Sequence, residues 1–291
     1  MALNGILVVD KPRDFTSHDV VAKLRGILRE RRIGHSGTLD PMATGILVVF
    51  VGRATRAVQF AENDEKEYIA GLRPCLVTTT ADITGEVLRT GESVPTREEL
   101  LSVLPRFMGD IFQTPPMYSA VKVGGERLYK LARRGEMVAR EPRPVKIKEL
   151  ELLGEENGDY LLRIICSKGT YIRTLCEDIG EALGCGACMS YLRRTRAGAF
   201  GIERATTLEE IEKAALRGET EELLAAVETL FTDRESLTLD AAQERKVRNG
   251  SAVEASEPDG EYRLYSEGGE FLALAEIGKG MLRVIKSFYE V

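Results

Sequence analysis

No apolar run in this 291-residue chain approaches the ~20 residues that a membrane-spanning helix needs. Cysteine is sparse. The five (Cys75, Cys166, Cys176, Cys185, Cys188) are odd in number and lack framework spacing, which argues against a disulfide scaffold and suits a reducing compartment. Histidine is sparser still, with only His18 and His35. Cys185-Gly186-Ala187-Cys188 therefore has no second cysteine pair at zinc-ribbon spacing and no histidine downstream of it, so it reads as a turn from a helix into a strand rather than a metal or redox site. Neither an internal repeat nor a low-complexity tract is found. The strand-like run Gly5-Ile6-Leu7-Val8-Val9 starts after four residues and leaves no room for a cleavable signal, giving the expectation of a soluble, cytoplasmic protein with no membrane association.

The net charge of -6 argues against a generic nucleic-acid binder, but its distribution points the other way. Residues 1–60 carry nine Lys/Arg against five acids, 119–149 nine against four, and 163–204 seven against four. Three basic blocks in an acidic chain fit a localised face for a polyanion, with scattered surface charge as the equal alternative. The most unusual stretch is Gly34-His35-Ser36-Gly37-Thr38-Leu39-Asp40-Pro41-Met42-Ala43-Thr44-Gly45. Its glycines free the backbone for turns, and Pro41 biases Asp40 toward extended geometry. It is expected to be neither helix nor regular strand but a constrained loop presenting the Asp40 carboxylate. It is no phosphate loop, because no Gly-Lys-Ser/Thr follows.

Thr16 with Asp19, Thr96 with Glu99 and Thr207 with Glu210 each form the capping-box pattern of a helix start. The first of these helices is expected to run through about Arg29. Ile46–Val51 is a buried-looking strand, Glu67–Leu72 another, and Tyr160–Cys166 the expected partner of Val145–Leu152. Arg127–Arg134 reads as a short basic helix. Thr170–Leu183 reads as a helix with Ile172, Leu175, Cys176, Ile179 and Leu183 on one face. Strands and helices alternate without regular βαβ spacing, so a mixed α+β fold is preferred. Beyond residues 230–236 short strands with glycine turns suggest a small β-rich appendix, a barrel in form.

Four separated segments carry the chemistry: Gly34–Gly45; Lys66-Glu67-Tyr68; Pro116-Met117-Tyr118-Ser119-Ala120-Val121-Lys122; and Ser167-Lys168-Gly169-Thr170-Tyr171-Ile172-Arg173. With Asp10-Lys11-Pro12 and Tyr191-Leu192-Arg193-Arg194 they resemble, in order, the bacterial TruB family of tRNA pseudouridine synthases. The resemblance spans nearly all of residues 4–204. It implies a pseudouridine synthase catalytic domain (1–232) on a mixed, largely antiparallel sheet with flanking helices, and a small β-barrel-like PUA-type RNA-binding domain (233–291). It implies as activity the isomerisation of uridine 55 in the T-arm loop of tRNA, without cofactor, metal or guide RNA. The T-arm stem-loop would be the partner of a monomer with no obligate protein partner. In the resemblance Asp40 is the nucleophile, Arg173 the cation that lowers its pKa and orients it, and Tyr68 the ring that stacks on the target base. Tyr171 and Leu192 line the base pocket, His35 helps open the RNA loop, and Lys122 contacts phosphate with neighbouring basic residues.

Each of these residues also has a plainer reading. Arg173 could pair with Glu177 on an exposed helix face, Tyr68, Tyr171 and Leu192 could be ordinary core, and Lys122 a solvated lysine. The chain departs from the family after Tyr68, where a Leu-Gly step and Thr-Asp-Thr are expected. It reads Pro74-Cys75 and Thr78-Thr79-Thr80 instead, keeping Asp82 and Gly85, and no residue with a chemical assignment is expected to be touched. Three rivals are a guide-RNA-dependent relative of archaeal type, a non-catalytic RNA-binding or RNA-folding protein, and a retaining hydrolase. The last would need a second catalytic acid, which no motif supplies.

Overall fold

The computed structural model describes residues 3–62 and 64–289, so the outer bounds of the two expected domains lie outside the described residues. The chain opens with β1 (Gly5–Lys11) and α1 (Ser17–Leu28), whose N-cap Thr16 exchanges hydrogen bonds with Asp19 as the capping pattern requires. Then come β2 (Ile33–Ser36) and β3 (Thr44–Val51). The glycine-rich stretch is therefore not wholly irregular. Its first residues extend β2 and its last two begin β3, because both ends find ladder partners on a strand already in place.

β3 is apolar along nearly its whole length because both of its faces are covered, as such runs require. Leu47, Val49 and Val51 join Val20, Val21 and Leu24 of α1 on one side. Ile46, Val48 and Phe50 face the other way, toward Phe231 and Phe288. After the single turn α2 (Val58–Ala61), β4 (Lys66–Pro74) leads to a small hairpin, β5 (Leu76–Thr78) and β6 (Val87–Thr90). Next are α3 (Arg97–Val103), capped by Thr96 and Glu99, and the edge strand β7 (Gly109–Gln113). A second hairpin, β8 (Lys122–Val123) with β9 (Glu126–Arg127), precedes α4 (Leu128–Arg133).

The long strands β10 (Arg143–Glu156) and β11 (Asp159–Cys166) pair antiparallel, as the alternation predicts. Helix α5 (Ile172–Ala182) starts two residues later than expected, since Tyr171 keeps an extended backbone as its N-cap. Ile172, Leu175, Cys176 and Ile179 bury the predicted face against Leu72 and Met189. β12 (Ala187–Ala197), β13 (Phe200–Gly201) and the capped helix α6 (Leu208–Arg217) follow.

The main sheet has nine strands in the order β1-β3-β12-β4-β11-β10-β7, with β2 on β3 and β13 on β12. Every pairing is antiparallel except β3 with β12. The C-terminal part holds β14 (Glu235–Leu239), α7 (Ala241–Arg248), β15 (Val253–Glu254), β16 (Gly260–Ser266), β17 (Phe271–Gly278) and β18 (Met281–Ser287). Its five strands curl in the order β14-β16-β17-β18-β15 as a half-barrel, with Leu264, Ala273, Ala275 and Ile277 among its core residues. A run of phenylalanine rings joins it to the main sheet, Phe60 to Phe231 at 5.2 Å and Phe271 to Phe288 at 5.4 Å. Aromatic contacts of this kind add about 0.5–1.5 kcal/mol each beyond the area they bury.

Candidate active site

Asp40 lies in the turn between β2 and β3, and the turn is held from several sides. The Ser17 hydroxyl, at the first residue of α1, donates to the Leu39 carbonyl at 3.2 Å and accepts from the Leu39 N–H at 2.9 Å. The Asp14 N–H and the Lys11 ammonium both donate to the Pro41 carbonyl, at 2.8 and 3.1 Å. Lys11 is wholly buried and also reaches the carbonyls of Pro12 and Phe15, and burial pushes its pKa down to about 8. Arg194, 1% exposed, spans the turn from below: its Nε donates to the Ile46 carbonyl at 2.7 Å and its Nη2 to Gly37 at 2.8 Å. The β3–β12 approach is so close at Gly45, φ +94°, that a Cβ there would sit 2.2 Å from the Arg194 carbonyl oxygen. Only glycine fits.

Arg173, on the first turn of α5, meets the Asp40 carboxylate side-on. Its Nε lies 2.9 Å from Oδ2 and its Nη2 3.2 Å from Oδ1. The guanidinium is buried and also donates to the carbonyls of Tyr118 at 2.8 Å and Thr80 at 3.2 Å. Asp82 stands 3.9 Å from the same Nε. Its Oδ1 accepts from the Thr80 and Thr84 hydroxyls and from the Thr84 N–H. The 78–82 segment thus does touch a residue with a chemical assignment, contrary to the expectation from sequence. The link is a backbone carbonyl and a carboxylate whose destination depends on how β5 folds back. Arg173 is a buried anchor and not an exposed partner of Glu177.

Arg173 does not leave Asp40 with a lowered pKa. Burial is the largest influence and raises it, Asp82 adds to that, and Arg173 works against both. The bidentate guanidinium holds the carboxylate in a fixed orientation, and the expected downward shift is reversed because the surrounding protein desolvates the carboxylate although part of its side chain stays open to solvent.

Tyr68, on β4, is buried in the cluster that contains Leu39, Met42, Ile172 and Leu192. Burial raises its phenol pKa, with Arg194 opposing. Leu192 is buried on β12 opposite Ala70, in that same cluster. Tyr171 is half-buried, and its backbone is clamped at both ends by the Gln113 side chain, which accepts from its N–H at 3.0 Å and donates to its carbonyl at 3.3 Å. His35, on β2, stands edge-on to His18 at 6.3 Å, and burial pushes it down to about 4, so its ring is neutral at physiological pH. Lys122 is exposed on the β8–β9 hairpin, four residues after the Tyr118 carbonyl that receives Arg173. Asp40, Arg173, Tyr68 and Leu192 are thereby brought together, Tyr171 adjoins Arg173 in the chain, and Lys122 stands apart on the surface. Sequence reasoning missed Lys11 and Arg194 as supports, although both lie in quoted motifs. It also missed Ser17, Gln113 and Asp82, whose roles depend on partners distant in the chain.

Comparison with known proteins gives consistent results. Residues 25–172 match the TruB family pseudouridylate synthase N-terminal domain, 173–232 the tRNA pseudouridylate synthase B C-terminal domain, and 236–285 the pseudouridine synthase II TruB C-terminal region. The tRNA pseudouridine synthase B of Stutzerimonas stutzeri is 43% identical over 282 residues, spanning 95% of this chain and 92% of its own. That of Francisella philomiragia is 40% identical over 291 residues, spanning 99% and 95%. Among solved structures, an H/ACA RNP bound to a substrate RNA containing 2'-deoxyuridine superposes with a TM-score of 0.75 at 26% identity, over 98% of this chain and 85% of that one. A chain of a Cbf5-Nop10-Gar1 complex does so with a TM-score of 0.75 at 30% identity, with the same coverages.

Proposed function

The chain belongs to the TruB family of pseudouridylate synthases, and from that premise we propose that it converts uridine 55 in the T-arm loop of tRNA to pseudouridine, with Asp40 as the nucleophile. The pairing of Asp40 with Arg173 carries this reading. Pseudouridine formation breaks the N-glycosidic bond, turns the uracil and rejoins it through carbon. Nothing is gained or lost overall, so a positioned carboxylate and a pocket for the detached base are the main requirements. Asp40 is fixed by its loop and by the guanidinium, and its side chain is still 36% exposed, which leaves it reachable by a nucleotide.

The base must leave its stack to meet Asp40, and it needs an apolar or aromatic surface to replace what it loses. Tyr68 and Leu192 supply that surface beneath Asp40, with Tyr171 at its rim. Tyr68 is protonated at neutral pH, so its phenol can donate a hydrogen bond to the turning base. A neutral His35 can occupy the space vacated in the RNA loop without presenting a charge to the base. The exposed Lys122 and the basic residues after it suit phosphates of the stem, where contacts position the RNA without reading its sequence. Relatives named tRNA pseudouridine synthase B, at 40–43% identity over nearly the whole chain, support action on tRNA.

An unmodified T-arm hairpin incubated with the purified protein, without metal or guide RNA, should yield pseudouridine by mass spectrometry. Asp40→Asn should abolish product and leave RNA binding largely intact. Full turnover by Asp40→Asn would sink the nucleophile assignment, and activity only with an added guide RNA would favour the guided reading.

A further inference from the structure

A pair of cysteines distant in sequence meets at the corner where β4 ends and β12 begins. Pro74 is the register partner of Ala187, so the residues just beyond both strand ends face each other there. Cys75 holds a left-handed backbone, φ +61°. Its N–H donates to the Gly186 carbonyl at 2.9 Å, and its carbonyl accepts from the Gly91 N–H at 2.9 Å. These bonds fix it against the turn that carries Cys185, whose thiol is near enough to help raise the Cys75 pKa. Gly91 closes the third side: a Cβ there would come within 3.2 Å of the Cys75 sulfur and 2.8 Å of the Cys185 carbonyl oxygen.

Cys166, Cys176 and Cys188 are buried, whereas Cys75 and Cys185 are half-exposed. Each of the two makes a weak S–H donation to a carbonyl, Cys75 to Ser93 at 3.1 Å and Cys185 to Gly186 at 3.2 Å. We propose that Cys75 and Cys185 form a modification site, a dithiol that closes to a disulfide when it meets a low-molecular-weight disulfide and reopens with a thiol reductant. In the first step one cysteine thiolate attacks a sulfur of the reagent, making a mixed disulfide and expelling one reagent thiolate. The second cysteine thiolate then attacks the protein-bound sulfur and expels the other. Two cysteines are oxidised, one reagent disulfide is reduced, and the two cysteine protons end on the released thiols. Burial and the neighbouring thiol push Cys75 up, so closure is slow at neutral pH and faster in alkali.

The bond would join the start of the 75–91 excursion to the turn after α5. The excursion carries Thr80 and Asp82, and α5 carries Arg173. The staple therefore ties together the two segments that hold the guanidinium behind Asp40. The Cys185-x-x-Cys188 spacing visible in the sequence is not the pair, because Cys188 is fully buried.

The test uses the full chain, incubated with oxidised glutathione at mildly alkaline pH and analysed by intact mass without reduction. The expected product has lost two hydrogens, carries no glutathione, and yields a cross-linked peptide pair containing Cys75 and Cys185. Its Tm should rise and return on addition of dithiothreitol. Cys185→Ser should instead trap one glutathione on Cys75, and Cys75→Ser one on Cys185. Phenylarsine oxide, which bridges neighbouring thiols, should shield both cysteines of the reduced native protein from alkylation, a readout needing no variant to fold. The proposal is overturned by separate glutathione adducts on both residues, by a Cys185–Cys188 bond, or by alkylation of both thiols in the presence of the arsenical.

Discussion

Replacing Arg173 by alanine strips the Asp40 site of its cation. The guanidinium, 6% exposed on its side chain, holds both oxygens of Asp40, stands beside Asp82 and satisfies the carbonyls of Thr80 and Tyr118. Alanine leaves two neighbouring carboxylates without the charge between them. Removing one member of a buried pair costs about 3–5 kcal/mol. Water can re-enter on the exposed side of Asp40, so the lower end, about 3 kcal/mol, is expected in urea unfolding. Turnover should suffer more selectively. Losing one preorganised electrostatic contact at the reacting group costs on the order of 3–4 kcal/mol of activation, or roughly 10²–10³-fold in kcat.

The pH dependence gives a second signature. Arg173 is the influence that lowers the Asp40 pKa, while burial and Asp82 raise it. Without Arg173 the carboxyl titrates higher still, and the acid limb of kcat, which needs ionised Asp40, should move to higher pH. The stability contribution of Asp40 has the opposite sense. A carboxyl whose folded value lies above its unfolded value favours folding in acid, and that contribution is lost as pH rises through the folded value. Release of tritium from a hairpin labelled at uridine C5 measures turnover across the pH range. Arg173→Lys keeps a charge without the two-pronged geometry and should recover only part of the loss. An alanine variant with unchanged kcat and an unmoved acid limb would refute the claim that this ion pair readies the nucleophile.

Three further perturbations probe the supports. Gly45→Ala places a methyl 2.2 Å from the Arg194 carbonyl oxygen at φ +94° and should destabilise the chain by roughly 2–4 kcal/mol, read from the urea midpoint. Ser17→Ala removes both bonds to the Leu39 backbone, leaving a buried N–H unsatisfied. A loss of about 1–3 kcal/mol is expected, with kcat falling more than RNA affinity, and equal falls would deny Ser17 a positioning role. Lys122→Ala, exposed, should leave Tm unchanged and weaken hairpin binding. The slope of log affinity against log salt should become shallower by about one if the lysine meets a phosphate.

Local features were legible where the interaction is itself local. The three predicted capping boxes, at Thr16, Thr96 and Thr207, close as read, because partner and cap lie three residues apart. A fourth, Asp240 with Gln243, follows the same rule and went unread. The β10–β11 pairing was legible from alternation and proximity. The irregular reading of the Gly34–Gly45 stretch failed at its ends, where strand character comes from ladder partners and not from the residues themselves.

By itself the sequence determined which side chains could do chemistry. One aspartate in a glycine-framed loop, a Lys-Glu-Tyr strand, and a Tyr-Ile-Arg helix start are fixed by residue type and spacing, and so is the two-faced apolar pattern of β3. Tertiary structure alone decided what those groups experience. Arg173 reaches Asp40, Asp82 and the Thr80 and Tyr118 carbonyls only because α5, β5 and the Tyr118 segment converge there. The enclosure they form turns the Asp40 pKa upward despite the cation. Arg194 is buried because β3 and β12 run parallel in contact, and Cys75 meets Cys185 because β4 and β12 end together. Charge and hydrogen-bond energies depend on separation and burial, which residues far apart in the chain acquire only when the sheet assembles.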